Sequence, residues 1–216
     1  MLDVDWRAAR PHLESVEQLW TSKDFDVVAP DAAAVEQYVE AMTDTRARGD
    51  ARWCCVRIPE SPAVDWFAAR NCLADVNFFG HLLASEAVAD ELDVVVPERP
   101  DPSLTVETGL SLDAVLAEEL VHGGSRSFET TLDQQYGAYA EAKRLAEDCR
   151  DEIIEDRYEE VTLHRTREAW CEWFGEPVWN LTLVAVDRRY RWAWVLVVTD
   201  EGRLEAAAGQ AASGDD

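Results

Sequence analysis

Residues 179–199 read WNLTLVAVDRRYRWAWVLVVT. Apolar side chains alternate through Trp179, Leu181 and Leu183, and again through Tyr190, Trp192, Trp194, Leu196 and Val198, with the period of two that pleated strands impose. The polar run Asp187 to Arg189 between them predicts a turn, and therefore an antiparallel hairpin. Upstream, after Tyr158, Val161 with Leu163 and then Trp170 with Phe174 extend the alternation into a meander. Five of the nine tryptophans lie between Trp170 and Trp194, so this sheet carries a large aromatic area that needs a cover.

The sequence supplies a cover immediately before it. Thr130 with Asp133 has the form of a capping arrangement, and Leu132, Tyr136, Tyr139, Ala146, Cys149 and Ile153 keep helical phase. A long helix from Thr130 to Ile153 is expected to pack on the meander. Before that helix, Ser111 is placed as the N-cap of a run carrying Leu112, Val115, Leu116 and Leu120, which Gly123 and Gly124 are expected to end in the left-handed conformation.

The N-terminal half alternates helix and strand. Val4 to Trp20 has mostly helical spacing, Phe25 to Ala29 reads as a short strand, and Asp31 is placed as the N-cap of a helix through Val35, Tyr38, Val39 and Met42 that ends at Gly49. Ala51 to Ile58 is a strand candidate whose adjacent Cys54 and Cys55 point to opposite faces. Ser61-Pro62 then starts a helix running from Val64 to Leu83, with Gly80 as its expected kink or break. Leu92 to Pro97 reads as a further strand, residues 98–103 as an irregular loop, and Leu104 to Glu107 as a short strand.

The expected class is α+β, with an alternating N-terminal part, central helices, and a C-terminal antiparallel tryptophan-rich meander packed on a long helix. Residues 1–203 are read as a single compact domain, with a possible subdivision near 98–103. Residues 204–216, rich in Ala, Gly, Ser and Asp, are read as a flexible tail.

Charge is the second strong signal. The 216 residues hold 44 Asp and Glu against 20 Lys and Arg, a formal net charge of −24, and only Lys23 and Lys143 are lysines. At low ionic strength such a surface repels itself, whereas in molar salt the Debye length is about 3 Å and the carboxylates act as hydrated, solubilising groups. The composition therefore fits a salt-in cytoplasm. Carboxylates spread along the whole chain argue against a nucleic-acid mimic, and the lack of a basic stripe argues against direct nucleic-acid binding. No apolar run is long enough for a membrane span, and the N-terminus, with two aspartates, lacks the form of a signal peptide, so a cytoplasmic location is expected. The odd number of cysteines, without CxxC spacing, reads as buried small hydrophobes.

Three constellations could carry chemistry. Glu119 and His122, three apart on one helix face, form half of a carboxylate-bridged dimetal motif, but no second such pair exists and no metal or cofactor is assigned. The simpler reading places His122 beside the helix C-terminal dipole. Gly123 to Arg126, and in particular Gly124, Ser125 and Arg126, could hold an anion through amides, a hydroxyl and a guanidinium, although the stretch lacks the lysine and spacing of a P-loop. Trp179, Trp192 and Trp194 form either core or an aromatic binding face. No GxSxG, HExxH, Walker or dinucleotide fingerprint is present. The stretch from Trp170 to Asp200 resembles domains of haloarchaeal proteins, a resemblance that implies no activity.

The expected function is a halophile-adapted cytosolic accessory or regulatory protein that binds a partner protein through aromatic and arginine-bearing surface. The alternative is a small-molecule-binding or metal-dependent enzyme using Glu119 and His122 with the Gly123–Arg126 loop. Assembly state is open, homo-oligomers included.

Overall fold

A computed structural model describes residues 5–20, 24–126, 137–175 and 177–200. Its α+β architecture is organised by one six-stranded, wholly antiparallel sheet in the order β1-β2-β6-β5-β4-β3. The strands are β1 (Asp26–Val28), β2 (Asp50–Arg57), β3 (Thr105–Thr108), β4 (Val161–Thr166), β5 (Leu181–Asp187) and β6 (Trp192–Thr199). The hairpin β5-β6 forms as its alternation predicts, with Leu183 opposite Leu196 and Ala185 opposite Trp194. Its turn is held by Asp187, whose Oδ1 accepts from the amides of Arg189 and Tyr190 at 2.8 and 3.1 Å.

Val184 and Val186, between the alternating apolar positions, are apolar as well, and every residue of β5 is buried, Thr182 and Asp187 included. One sheet face carries Cys54, Val56, Val184, Val186, Val195 and Val197; the other carries Cys55, Leu183, Ala185, Trp194, Leu196 and Val198. Strands this apolar on both sides need a layer on each. On the first face lie α3 (Pro62–Ala69), α4 (Phe78–Leu83) and α5 (Glu86–Leu92), together with α1 (Leu13–Trp20) and the loop residues Trp170 and Phe174. On the second lie α2 (Ala33–Asp44), α6 (Leu112–His122) and α7 (Ala138–Ile154). The long helix covers the meander as expected, and a second helical layer covers its back. That helix begins at Ala138, after Gly137 at a φ of 101°, so the expected single run from Thr130 to Ile153 does not continue through Gly137; the expected start at Thr130 itself lies outside the described residues.

Several local expectations are corrected. Leu92 to Pro97 is not a strand: Leu92 ends α5, Asp93 caps it at a φ of 49°, the Val94 amide turns back to the Ala89 carbonyl at 3.0 Å, and the Arg52 guanidinium takes the carbonyls of Leu92 and Asp93 at 2.6 and 2.8 Å. The run Val64 to Leu83 breaks between Ala69 and Phe78 rather than at Gly80, with Asn71 and Asn77 at positive φ of 53° and 49°. Asparagine tolerates that conformation, while Gly80 sits within α4 because a Cβ there would lie 2.4 Å from the Asn77 Oδ1. Trp170 and Phe174 belong to a loop, where the Trp170 indole donates to Thr182 Oγ1 at 2.8 Å. Asp31 does not cap α2. That end is capped from α7, where Glu152 Oε2 accepts from the amides of Ala34 and Val35 at 2.6 and 3.0 Å. Ser111 makes no side-chain cap on α6, whereas Ser61 caps α3 as expected.

Gly49, just before β2, lies hard against the end of the neighbouring strand β6. An added Cβ would lie 1.8 Å from the carbonyl oxygen of Thr199, at the end of β6. Gly49→Ala is expected to destabilise the protein by at least about 2 kcal/mol through backbone displacement, read from chemical denaturation in high KCl. An unchanged midpoint would contradict the close approach.

Candidate functional site

The strongest site candidate lies at the C-terminal end of α6, where the sequence puts a carboxylate on the buried face and a histidine at its rim. Leu112, Val115, Leu116 and Leu120 anchor the helix, and Glu119 shares their buried side at 3% exposure. His122 is exposed, its ring centroid 5.9 Å from that of Tyr139. Glu119, His122 and Trp179 line one cleft of about 580 Å³ together with Arg165 and Arg167. Trp179 arrives there because Pro177–Trp179 is a 3₁₀ turn preceding β5, not the start of the strand. It therefore parts from Trp192 and Trp194, which lie on the sheet.

Arg167 joins the elements. Its Nη2 donates to Glu119 Oε1 and its Nη1 to the carbonyl of Asn180 at 3.1 Å. Asn180 is fixed in turn, donating to the Gly175 carbonyl at 3.1 Å and accepting from Thr199 Oγ1 at 2.9 Å. Arg165, one strand repeat earlier, pairs with Glu107 across the β3-β4 ladder at 2.6 Å. Both guanidiniums retain solvent contact, with side chains 38% and 47% exposed for Arg165 and Arg167. Glu119 Oε2 has no hydrogen-bond partner although it is buried. A half-satisfied buried carboxylate on a cleft wall marks a functional-site candidate.

The Gly123–Arg126 turn has a different role from the one expected. Gly123 has an ordinary φ of −82°, and what demands glycine is space. A Cβ on Gly123 would lie 2.4 Å from Glu119 Oε2, and one on Gly124 would lie 2.3 Å from Arg46 Nη1. The turn rests on a buried carboxylate and a buried guanidinium. Its amides are also engaged within the chain: Ser125 N donates to Asp200 Oδ2 and Arg126 N to the carbonyl of Thr45, both at 3.0 Å. The anion at Ser125 is thus Asp200, and Arg126 is exposed. Asp200, fully buried, also accepts from the amides of Ala47 and Arg48 at 3.1 Å. Burial alone would raise its carboxyl pKa, but the hydrogen bonds from Ser125, Arg48 and Ala47 prevail and hold it below the ordinary carboxylate value.

Among the described residues, no three His, Cys, Asp or Glu side chains gather in a metal-binding arrangement. The cysteines are free, with Cys54 and Cys55 on opposite sheet faces as the alternation predicts; burial pushes the Cys55 thiol up to about 12 and raises those of Cys54, Cys149 and Cys171 as well. These are core groups rather than activated nucleophiles. Sequence reasoning missed Arg165, Arg167 and Asp200. The Arg-x-Arg alternation at the end of β4 was the available signal for the first two, whereas the partners of Asp200 lie 75 or more residues away.

The chain matches no protein-family model, no curated protein and no solved structure.

Asp200→Asn is expected to cost about 2–3 kcal/mol at neutral pH, since an amide group would face backbone donors in place of a charged acceptor. A carboxyl with a lowered folded pKa stabilises above its unfolded value near 3.8 and loses that contribution as pH falls through the folded value. Denaturation at pH 7 and pH 3 should therefore show the gap between wild type and variant closing in acid; a constant gap would contradict the clamp.

Proposed function

We propose that this is a halophile-adapted, cytosolic protein whose cleft binds a small organic anion. The observation that carries the reading is the Glu119–Arg167 pair. One partner is buried, and the other is half-exposed and tied to the backbone, which orients a guanidinium toward the cleft at little further entropic cost. Arg165 supplies a second guanidinium on the same wall, and Trp179 a flat apolar face. In a chain of charge −24, a lining that balances Glu118 and Glu119 with two arginines lowers the repulsion an anion meets there. Guanidinium pairs recognise carboxylate or phosphate oxygens in a planar, bidentate manner, and the indole face favours a ligand with an aromatic or apolar body. His122 and Glu118, exposed on the rim, could serve proton transfer to such a ligand.

Titration with benzoate, malonate and inorganic phosphate, followed by calorimetry and tryptophan fluorescence, tests this reading. The expected result is preferential benzoate binding with quenching that Trp179→Phe alters, and about tenfold weaker binding in Arg165→Gln. Arg165 is the variant of choice because replacing Arg167 would strand the buried Glu119. Saturable binding of none of the three anions, or binding indifferent to Arg165, would refute it.

A second reading, an accessory protein that binds a partner protein, is supported by Trp192 and Trp194, which line a separate groove. The halophilic reading is supported by the placement of the carboxylates. Glu36, Glu40 and Asp44 are exposed on α2 in one layer, and Asp75, Asp90 and Glu91 in the other, so they do not gather on one flank. No helix among the described residues is long and apolar enough to cross a membrane. Thermal stability is expected to rise from dilute buffer to multimolar KCl as the self-repulsion is screened; equal melting temperatures would remove the halophilic explanation.

A further inference from the structure

The charges in the cleft at the end of α6 do not match pair by pair. Glu119 holds Arg167, and Glu107 on β3 holds Arg165 at 2.6 Å, so each guanidinium enters with a carboxylate already in contact. A guanidinium carries five N–H donors, and both keep some beyond these contacts. Glu118 enters without a partner. It is exposed, it lines the same cleft, and among the described residues no hydrogen bond or ion pair engages it. The remaining titratable side chain of the lining, His122, is exposed with its ring against Tyr139.

The apolar part of the lining is an independent observation. Val178 is 68% exposed beside the half-buried Trp179, and both line the cleft. Their 3₁₀ turn sets apolar surface next to the charged groups, and a ligand body that covers it leaves water. A plain carboxylate would suit the arginines and meet Glu118 as an uncompensated like charge. A plain amine would suit Glu118 and meet two guanidiniums. A ligand with both charges on one carbon removes both conflicts, and being net neutral it meets no net repulsion from a chain of charge −24. Glu118 directly precedes Glu119, the residue that holds Arg167, so acceptor and donor reach the cleft from adjacent positions of α6.

Resting on the anion-binding reading, we propose that the ligand is an α-amino acid with an aromatic or branched apolar side chain, its carboxylate on Arg165 and Arg167, its ammonium on Glu118 and its side chain on Val178 and Trp179. Glu118 is then the residue that selects an amino acid from among carboxylates. The probes are L-phenylalanine, 3-phenylpropionate, which lacks the amino group, and 2-phenylethylamine, which lacks the carboxylate. Each is titrated calorimetrically against the full chain and against its benzoate complex in about 1 M KCl. There the Debye length of about 3 Å screens diffuse attraction of the amine to the acidic surface and leaves contact-range binding. Direct titration gives affinity, and displacement of benzoate places the ligand in the cleft.

L-Phenylalanine is expected to displace benzoate and to bind about tenfold more tightly than 3-phenylpropionate, with 2-phenylethylamine weaker than either. In Glu118→Gln, an exposed position, the tenfold preference should shrink to near parity, while retained benzoate binding reports an intact cleft. Equal wild-type affinity for L-phenylalanine and 3-phenylpropionate, or a preference that survives Glu118→Gln, overturns the amino-acid assignment, and benzoate binding then keeps the anion reading standing. Loss of benzoate binding in Glu118→Gln also overturns it, because Glu118 would then shape the cleft rather than receive an ammonium group. A chain that binds neither benzoate nor any of the three probes fails both the inference and the reading on which it rests.

Discussion

Two-sided burial of the β5-β6 hairpin is the constraint on which the rest of the structure depends. Its alternate positions are apolar on both faces, so a single covering layer would leave Val184, Val186, Val195 and Val197 in water. At about 25 cal/mol per Å² of apolar surface, such exposure would be costly, and helices on both sides remove it. The N-terminal strands follow from the same demand. β6 is flanked by β5 on one edge and needs a partner on the other, which β2 supplies over eight residue pairs from Asp50–Thr199 to Arg57–Trp192. Sequence-distant halves are thereby joined in one sheet.

Where that sheet meets the ends of its helices, the polar groups are organised by charge. Asp200, at the end of β6, gathers the amides that follow α2 and the amide of Ser125 that follows α6. Arg46 lies buried beside the same turn, donating to Thr45 Oγ1 at 3.0 Å and to the Met42 sulfur at 2.9 Å. Burial lowers its pKa, and Tyr38, Glu119 and Asp200 oppose that shift. The cleft lies beside this junction, lined by Trp179, Arg165 of β4 and Arg167 just beyond that strand. The candidate ligand site and the structural clamp are neighbours, held on rigid elements as a positioned site requires.

The opposite end of the second helical layer solves its electrostatics differently. Arg157, 9% exposed, bridges α7 to the hairpin turn through Asp187 at 3.0 Å and lies 4.5 Å from the Tyr190 ring centroid. This pair fixes how α7 lies against β6 and so defines the groove lined by Trp192 and Trp194. Acidic side chains outside such contacts decorate both layers, which sets this surface apart from a single electrostatic face.

Periodicity determined much of the fold: the hairpin, the opposite facings of Cys54 and Cys55, the Ser61-Pro62 helix start and the cover over the meander could all be read from neighbours within a few residues, because strand and helix repeats are local. The α-helical spacing likewise placed Glu119 and His122 on one side of α6. Tertiary structure decided the rest wherever a residue answers to a distant one. Three consecutive valines after Asp93 have strand propensity, yet the first of them closes the end of α5 through its amide and the segment forms no strand. Gly123 and Gly124 looked like turn formers and are required by close approach to the backbone carbonyls of Glu119 and Thr45. Arg167, 48 residues from Glu119, and Asp200, 75 from Ser125, carry no mark in the sequence of the partners they hold. The physical reason is range: backbone geometry and apolar repeats act over one or two turns of chain, whereas a buried charge is satisfied by whatever the folded chain brings within about 3 Å of it.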